Sequence, residues 1–440
     1  MSGRAEEGSV RSEKLGRDLR SFLEELYPIC RSITGDGVRE TLRRIGRRIP
    51  LEVREVPTGT PVLDWTVPRE WNIREAWIEG PDGERIVDFR DHNLHVMSYS
   101  VPVDRRLSLE ELRPHLHSLP EHPGRIPYRT SYYTEDWGFC LRHSTLESLE
   151  PGRYRVRIDS ELSEGHLTYG ECLLPGASDE EVLISTHCCH PSLANDNVSG
   201  LVVATELARI MAERERRRYS YRFVFVPGTI GAITWLARNQ ASAVLRIRHG
   251  LVLTGLGDPG PPTYKRSRRH DAEIDGAATH VLEHAVPDFR TQDFSPTGYD
   301  ERQYGSPGFD LPVGCLMRTP PGTYSEYHTS ADDPDFVTEE SLAESVEVCR
   351  RILDVLEENA TYRNLEPKGE PQLGRRGLYR DRGGERLPQF ETALLWVLNL
   401  SDGDHTLLDV ARRSELPFAA VREAADALLE ADLLEERRSS

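Results

Sequence analysis

The chain has 440 residues, of which 38% are hydrophobic and 29% are charged, so it can fold into two or three domains and is not disordered throughout. Lys and Arg number 55 against 73 Asp and Glu, and the net charge of −18 gives no general electrostatic reason to bind nucleic acid or an anionic membrane. No apolar run approaches a membrane span, no secretory signal is recognisable, and seven Cys do not make a disulfide framework. We therefore expect a cytoplasmic protein with reduced thiols.

The first third of the chain contains helical patterns followed by short β-like segments. Apolar residues recur at helical spacing from Leu15 to Ile29, and a second helical pattern follows. In residues 51–152, short strand-like pieces alternate with Pro, Gly and Asp turns, which predicts a β-rich inserted domain. The aromatic residues from Tyr128 to Phe139 either line a cleft or pack that domain, and none of them is assigned to a site.

Residues 153–362 alternate between strand and helix patterns. Several strands are almost entirely apolar, as in a sheet that helices cover on both faces. We predict an α/β fold with a mainly parallel mixed sheet and helices on both faces, and we assign residues 12–50 and 153–362 to this catalytic domain. The strand candidates are RYRVRID, HLTYGECLL, EVLISTH, YRFVFV, GLVLTGL and VGCLMR, and the helix candidates are 198–215, 232–239, 273–285 and 338–358.

The C-terminal part of the chain has a different composition. Residues 363–386 are rich in Gly, Arg, Glu and Pro and are predicted to be a linker. Residues 387–440 contain three helical patterns and a final short strand, which predicts a winged-helix-like domain. That domain has eleven acidic residues against five Arg, the opposite of the charge that a DNA reader needs. We expect it to serve protein interaction, in a homo-oligomer that binds no nucleic acid and no membrane.

The most informative stretch is VLISTHCCHPSLANDNVSG, in which a buried strand ends at His187 and a polar loop leads through Asp196 into a helix. In open α/β sheets, ligands bind at the carboxyl ends of strands. Taken alone, such a His is more often a core residue and such an Asp is more often a helix cap. Their pairing favours a shared divalent metal, and His328 in EYHTSADD offers a third donor. Two His and one carboxylate, with one open position, form a catalytic zinc set.

The residues that follow His187 each allow two interpretations. Cys188 and Cys189 are flanked by His residues, so a thiolate nucleophile is conceivable, but Cys beside a buried strand is more often a small core residue. His190 is either a further metal ligand or a loop residue that contacts the substrate.

The pattern strand–His–loop–Asp–Asn–x–Ser–Gly–helix, followed much later by Tyr–His–Thr–Ser–x–Asp, resembles the zinc exopeptidases that include bacterial leucyl aminopeptidase and glutamate carboxypeptidase. More closely, the chain resembles a bacterial aminopeptidase-like family of long-unknown function, some members of which carry a C-terminal winged-helix unit. The resemblance extends over residues 25–360. It rests on TGTPVLDWTVPREW, IPYRTSYYTEDWGFC, HCCHPSLANDNVSG, PGTIGAITWLARN, DERQYGSPGFDLPVG and EYHTSADD.

The resemblance implies a zinc aminopeptidase-like hydrolase in which His187, Asp196 and His328 hold the metal. Relatives have two consecutive Glu residues, one a general base and one a ligand, where this chain has Gly228 and Thr229. They have an Asp ligand where this chain has Thr254, and an Asp that orients the first His where this chain has Cys189. Because too few ligands remain for two metals, we predict one Zn²⁺ per chain.

The general base of such a hydrolase is the part of the site for which the resemblance gives least help. Glu301, in GYDERQY, is the first candidate, because the corresponding loop of the relatives borders the active site, and Glu326 is the second. Asp300, Arg302 and His190 are predicted to bind the substrate. Residues 300–302 can also be interpreted as a solvated charge cluster.

We therefore predict a mono-zinc hydrolase of an amide or peptide-like bond, acting on a peptide-like substrate or on a small-molecule conjugate in a biosynthetic pathway. The alternative is a metal-dependent binding protein on an exopeptidase fold that has lost catalysis. A DNA-binding regulator is disfavoured by the charge of the C-terminal domain.

Overall fold

The computed structural model describes residues 2–378 and 389–437, so residues 379–386 of the predicted linker lie outside the described residues. The helices are α1 (Ser2–Leu26), α2 (Asp36–Ile45), α3 (Leu109–Leu112), α4 (His143–Glu147), α5 (Gly200–Glu213), α6 (Ile230–Asn239), α7 (Glu273–Ala285), α8 (Glu301–Tyr304), α9 (Glu339–Glu358), α10 (Phe390–Leu400), α11 (Leu407–Ser414) and α12 (Phe418–Glu430). No helix in these described ranges is long and apolar enough to cross a membrane.

The strands complete the description of regular structure. They are β1 (Glu52–Pro57), β2 (Pro61–Val62), β3 (Trp65–Thr66), β4 (Glu70–Glu79), β5 (Arg85–Asp88), β6 (Val103–Ser108), β7 (Leu116–His117), β8 (Phe139–Cys140), β9 (Arg153–Ser163), β10 (His166–Leu174), β11 (Glu181–His187), β12 (Ser220–Val226), β13 (Ile247–Leu253), β14 (Thr263–Lys265), β15 (Arg290–Gln292), β16 (Val313–Met317), β17 (Thr361–Asn364), β18 (Asp402–Thr406) and β19 (Leu434–Glu436).

The chain forms two compact units, and the first contains residues up to 270 together with residues 290–347. Its main sheet has eight strands in the order β1-β10-β12-β11-β13-β16-β14-β15. The central strands β12, β11, β13 and β16 run parallel, whereas β1 and β10 add antiparallel pairs at one side. Every residue of β11 and β12 is buried, as the apolar runs predicted. The predicted α/β fold with a mixed sheet is confirmed.

A second sheet lies within the same unit and has the strand order β5-β4-β9-β6. Its core contains Ala76, Val156, Ile158 and Phe139, all of them fully buried. β9 belongs to this sheet, although the sequence analysis assigned residues 153–159 to the catalytic sheet. The reason is visible in the alternation of buried and partly exposed residues along β9, which is typical of a sheet with one solvated face. Conversely, β1 joins the main sheet as an edge strand.

The second unit contains residues 271–289 and the described residues from 348 onward. Three helices, α10 to α12, are present as predicted, and β17, β18 and β19 form a three-stranded sheet beside them. The Thr406 side chain accepts a hydrogen bond from the Asp409 backbone N–H and forms a capping box that begins α11. α7 contributes His280, whose Nε2 accepts the Phe418 backbone N–H at 3.1 Å.

A buried ion-pair network joins three strands of the main sheet. Arg222 of β12 bonds to Glu171 of β10 and to Glu181 of β11, in both cases at 2.5 Å. All three side chains are almost fully buried. Such a network is costly to break, because a carboxylate that loses its cation stays out of water.

We expect Arg222→Met to lower the free energy of unfolding by about 3 kcal/mol, because it leaves two buried carboxylates without this guanidinium. Arg248→Met is the matched control, since the pair of Arg248 with Glu180 is exposed and is worth about 1 kcal/mol or less. Urea unfolding of both variants measures the difference. Equal effects of the two substitutions would contradict the structural role of the network.

Candidate metal centre

The candidate site lies where the central strand of the main sheet ends. β11 ends at His187, which pairs with Val226 at the end of the parallel strand β12. The chain then continues through a loop and an irregular helical turn, Ala194–Ser199, before α5 begins. Both Asp196 and Asn197 have non-helical backbone angles within this turn. The site is therefore at the carboxyl edge of the parallel strands, the usual place for ligand binding in such sheets.

Three donor atoms converge at this edge. His187 Nε2 lies 3.0 Å from Asp196 Oδ1 and 3.1 Å from His190 Nδ1. His190 Nδ1 lies 3.5 Å from the same Asp196 oxygen. Zinc bonds of about 2.0–2.1 Å at tetrahedral angles require ligand atoms about 3.3–3.4 Å apart, so the three separations fit one face of a zinc site.

The second oxygen of Asp196 faces the remaining predicted ligand. His328 Nε2 lies 3.0 Å from Asp196 Oδ2. The three predicted ligands are therefore gathered around one carboxylate, and His190, which the sequence analysis left as ligand or substrate contact, also reaches it. Among the described residues, His187, His190 and Asp196 form a group of potential metal donors whose ligand atoms all lie within 4.8 Å of one another.

The loop that carries His328 is held by the inserted segment, residues 51–152, which the sequence predicts to be an insertion. His328 has a φ of 55°, which is uncommon for a residue with a side chain. Its carbonyl accepts the Tyr128 backbone N–H at 2.8 Å, and the Ser330 backbone N–H donates to the Ile126 carbonyl at 2.8 Å. The ring of Tyr128 also meets the rings of His190 and His328 edge-on. Tyr128 therefore borders the site, a role that the sequence could not assign to one residue of its aromatic stretch.

Two further groups hold Asp196 in place. Asp332 accepts the backbone N–H groups of Asn195 and Asp196, at 2.6 and 3.0 Å. Tyr299 donates its hydroxyl to Asp196 Oδ1 at 2.7 Å and stacks on the His187 ring, with centroids 4.5 Å apart. Neither residue was among the site residues predicted from the sequence. Asp332 lies within the EYHTSADD motif and was open to detection, whereas nothing local marks Tyr299.

The electrostatics of the site favour an ionised carboxylate. Burial alone would raise the pKa of Asp196, but the charge of His190 and hydrogen bonds with His187, His190 and His328 hold it well below its usual value. The side chains of His187 and Asp196 are each 1% exposed, whereas those of His190 and His328 are 12% and 33% exposed. The site therefore opens to solvent at His190 and His328.

Asp300 and Glu301 are both buried, so for these two residues the interpretation as a solvated cluster is wrong. Glu301 Oε1 bonds to Lys265 Nζ at 2.8 Å. Burial, followed by the charge of Glu301, raises the pKa of Asp300 to about 8. Arg302 Nε has no hydrogen-bond partner among the described residues. The assignments of these three residues to base or substrate contact stay predictions.

Glu326, the second candidate for the general base, accepts a hydrogen bond from Arg125 at 3.2 Å. This contact joins the His328 loop to the inserted segment. Its role as a base stays a prediction.

The two cysteines after His187 are both buried. Burial raises the pKa of Cys188 to about 12 and that of Cys189 well above its usual value. A neutral, buried thiol is a poor nucleophile. Their environment therefore favours the interpretation of both residues as small core side chains.

Comparison with known proteins identifies the chain's relatives. Residues 20–359 match the family described as "Domain of unknown function (DUF4910)", and residues 360–436 match a winged helix-turn-helix family. A Clostridium acetobutylicum protein is 49% identical over 424 residues, which are 96% of this chain and 97% of that one. That protein is provisionally named as a polysaccharide biosynthesis protein with an aminopeptidase-like domain.

Solved structures agree with these matches. A crystal structure of a protein from Clostridium acetobutylicum, provisionally described as a peptidase, superposes with a TM-score of 0.93 at 46% identity and covers 99% of this chain and 100% of that one. The zinc aminopeptidase BSAP from Bacillus subtilis superposes with a TM-score of 0.58 at 11% identity, over 78% of this chain and 94% of that one. The aminopeptidase-like fold and the winged-helix domain predicted from the sequence are confirmed.

We expect His187→Ala, Asp196→Ala and His328→Ala each to lose most of the bound metal, because the loss of one of three ligands weakens metal binding strongly. We expect each variant to stay folded, because the large α/β core stabilises the protein independently of the metal. Mass spectrometry of metal content and circular dichroism on the same samples check this expectation. Full metal content in His328→Ala would contradict the assignment of that ligand. His190→Ala would then be the variant expected to lose the metal.

Proposed function

Because the chain belongs to the family described as DUF4910 and has an aminopeptidase-like fold, we propose that it is a mono-zinc hydrolase of an amide or peptide-like bond. The observation that carries this proposal is the set of donors around Asp196, whose separations match those of zinc ligands. In this account His187, Asp196 and His328 hold the metal, and His190 lies beside the first carboxylate oxygen as a further donor. Zinc, when bound, supplies the Lewis acidity that polarises an amide carbonyl and acidifies water.

The chain's own residues supply the other requirements of the reaction. Tyr299 and Asp332 keep Asp196 oriented toward the donors, so ligand geometry is set before the substrate arrives. The exposed edges of His190 and His328 border the entrance, with Tyr128 across them. Amide hydrolysis also needs a proton acceptor for water and a donor for the leaving amine. The buried neighbours Asp300 and Glu301 are the carboxyl groups that support this step.

The substrate class follows from the entrance and from the relative's provisional name. The entrance is bounded by aromatic rings, and the His328 loop there is tied to the inserted segment by backbone hydrogen bonds. An aromatic wall suits a compact substrate that presents an apolar or ring-shaped face. With a relative provisionally named for polysaccharide biosynthesis, we propose a small acylated or aminoacylated conjugate in a biosynthetic pathway.

One zinc per chain is the expected content of protein purified without chelators. The reason is that the predicted ligands His187 and His328 both approach the single carboxylate of Asp196, with His190 as one further donor. A second tightly held ion would lack ligands, because zinc needs about three protein donors. Quantitative mass spectrometry of metals, normalised to protein, provides the count. Two ions per chain would contradict this expectation.

Hydrolysis is tested with a panel of N-terminal aminoacyl amides and of acylated and aminoacylated small molecules. We expect turnover by the zinc-loaded protein, and a loss of at least about 10²-fold in His187→Ala, because the metal is held through that side chain. Arg248→Met is the control for handling and folding, since Arg248 is not one of the residues of the metal centre and forms an exposed ion pair with Glu180. Zinc binding without turnover on any panel member would favour the metal-dependent binding protein instead.

A further inference from the structure

Gly228 leaves a space beside the base of the His187 side chain. A Cβ atom built on Gly228 would lie 3.1 Å from the Cβ of His187 and 3.6 Å from Oδ2 of Asp300. The carboxyl group of Asp300 therefore lies over the side-chain position that Gly228 does not fill. Any longer side chain at residue 228 would compete with Asp300 for this space.

The carboxyl group of Asp300 is buried and only partly satisfied. The residue is 1% exposed, and its Oδ1 has no hydrogen-bond partner among the described residues. Buried polar atoms are almost always paired, so an unpaired one is available for a further group. The preceding residue, Tyr299, bonds to Asp196, so this loop reaches the metal centre.

Glu301 has a different environment, although it is equally buried and its Oε2 is also unpaired. Its Oε1 is held by the ammonium group of Lys265, whose side chain is 4% exposed. The ammonium group therefore occupies one of the two acceptor oxygens of Glu301. No such cation is bonded to Asp300 in the described part of the chain. Of the two neighbours, Asp300 is therefore the one whose carboxyl group lies beside Gly228 and outside any such ion pair.

We propose that Asp300, rather than Glu301, is the proton acceptor of the hydrolase, an inference that rests on the proposed function. Asp300, in its ionised form, accepts one proton from water while the water oxygen bonds to the amide carbonyl carbon. As the C–N bond breaks, Asp300 returns that proton to the leaving nitrogen, so that a carboxylic acid and an amine are released. Glu301, bound to Lys265, is a positioning residue that holds the loop.

Asp300→Asn and Glu301→Gln form a matched pair, because each replaces a buried carboxylate with an amide of nearly the same shape. We expect Asp300→Asn to lower kcat by about 10²–10⁴-fold with little change in KM, and Glu301→Gln to lower it by less than about tenfold. Zinc affinity, measured by competition with a chelator, is expected to be unchanged in Asp300→Asn. The conservative variant Asp300→Glu is expected to keep more turnover than Asp300→Asn.

Several results would overturn the proposal. Full turnover in Asp300→Asn, or a larger loss in Glu301→Gln than in Asp300→Asn, would move the role to another group. Weakened zinc binding in Asp300→Asn would make Asp300 a support of the metal. If Asp300→Asn folds poorly, equal losses in Asp300→Glu and Asp300→Asn would overturn the role of the carboxylate. Absence of turnover by the zinc-loaded wild type would overturn the proposed function itself. Turnover by the wild type that persists in Asp300→Asn would overturn only the role of Asp300.

Discussion

A single buried carboxylate, that of Asp196, is the interaction on which the rest of the site depends. Its two oxygens face in different directions: one meets His187 and His190, and the other meets His328. A carboxylate that is 1% exposed would be destabilising without compensation, and here protonatable rings and a Tyr299 hydroxyl surround it. A divalent cation among these donors would compensate the charge more completely. The clustering of groups that are costly to bury together is thus an argument for metal binding.

The architecture brings distant segments to this carboxylate. The parallel strands β11 and β12 set His187 at the sheet edge, and the Asp332 carboxylate fixes the backbone of the following loop. The inserted segment contributes Tyr128, whose backbone N–H donates a hydrogen bond to the carbonyl of His328. The backbone of His328 has a left-handed conformation. Such unfavourable φ values persist only where neighbouring contacts determine them. The insertion is therefore part of the site and has a role beyond that of an appended domain.

The parts of the fold and site that could be predicted were those with a local signal. The apolar runs of β11 and β12 marked buried parallel strands, and the HCCHPSLANDN and EYHTSADD motifs contained the donors His187, Asp196 and His328. The prediction for β9 was wrong, because its alternation of buried and partly exposed residues fits the second sheet, which has one solvated face. Contacts such as Tyr299 on His187, or Asp300 above Gly228, join segments that are distant in sequence. Nothing local in the sequence encodes them.

In the proposed site, one metal ion is held around Asp196. The most direct measurement is anomalous diffraction from crystals of the zinc-loaded full chain, with data collected on both sides of the zinc absorption edge. Our account predicts one anomalous peak per chain, with bonds of about 2.0–2.2 Å to Asp196 and to His187. Two peaks that share the Asp196 carboxylate, or a peak with no bond to Asp196, would contradict it.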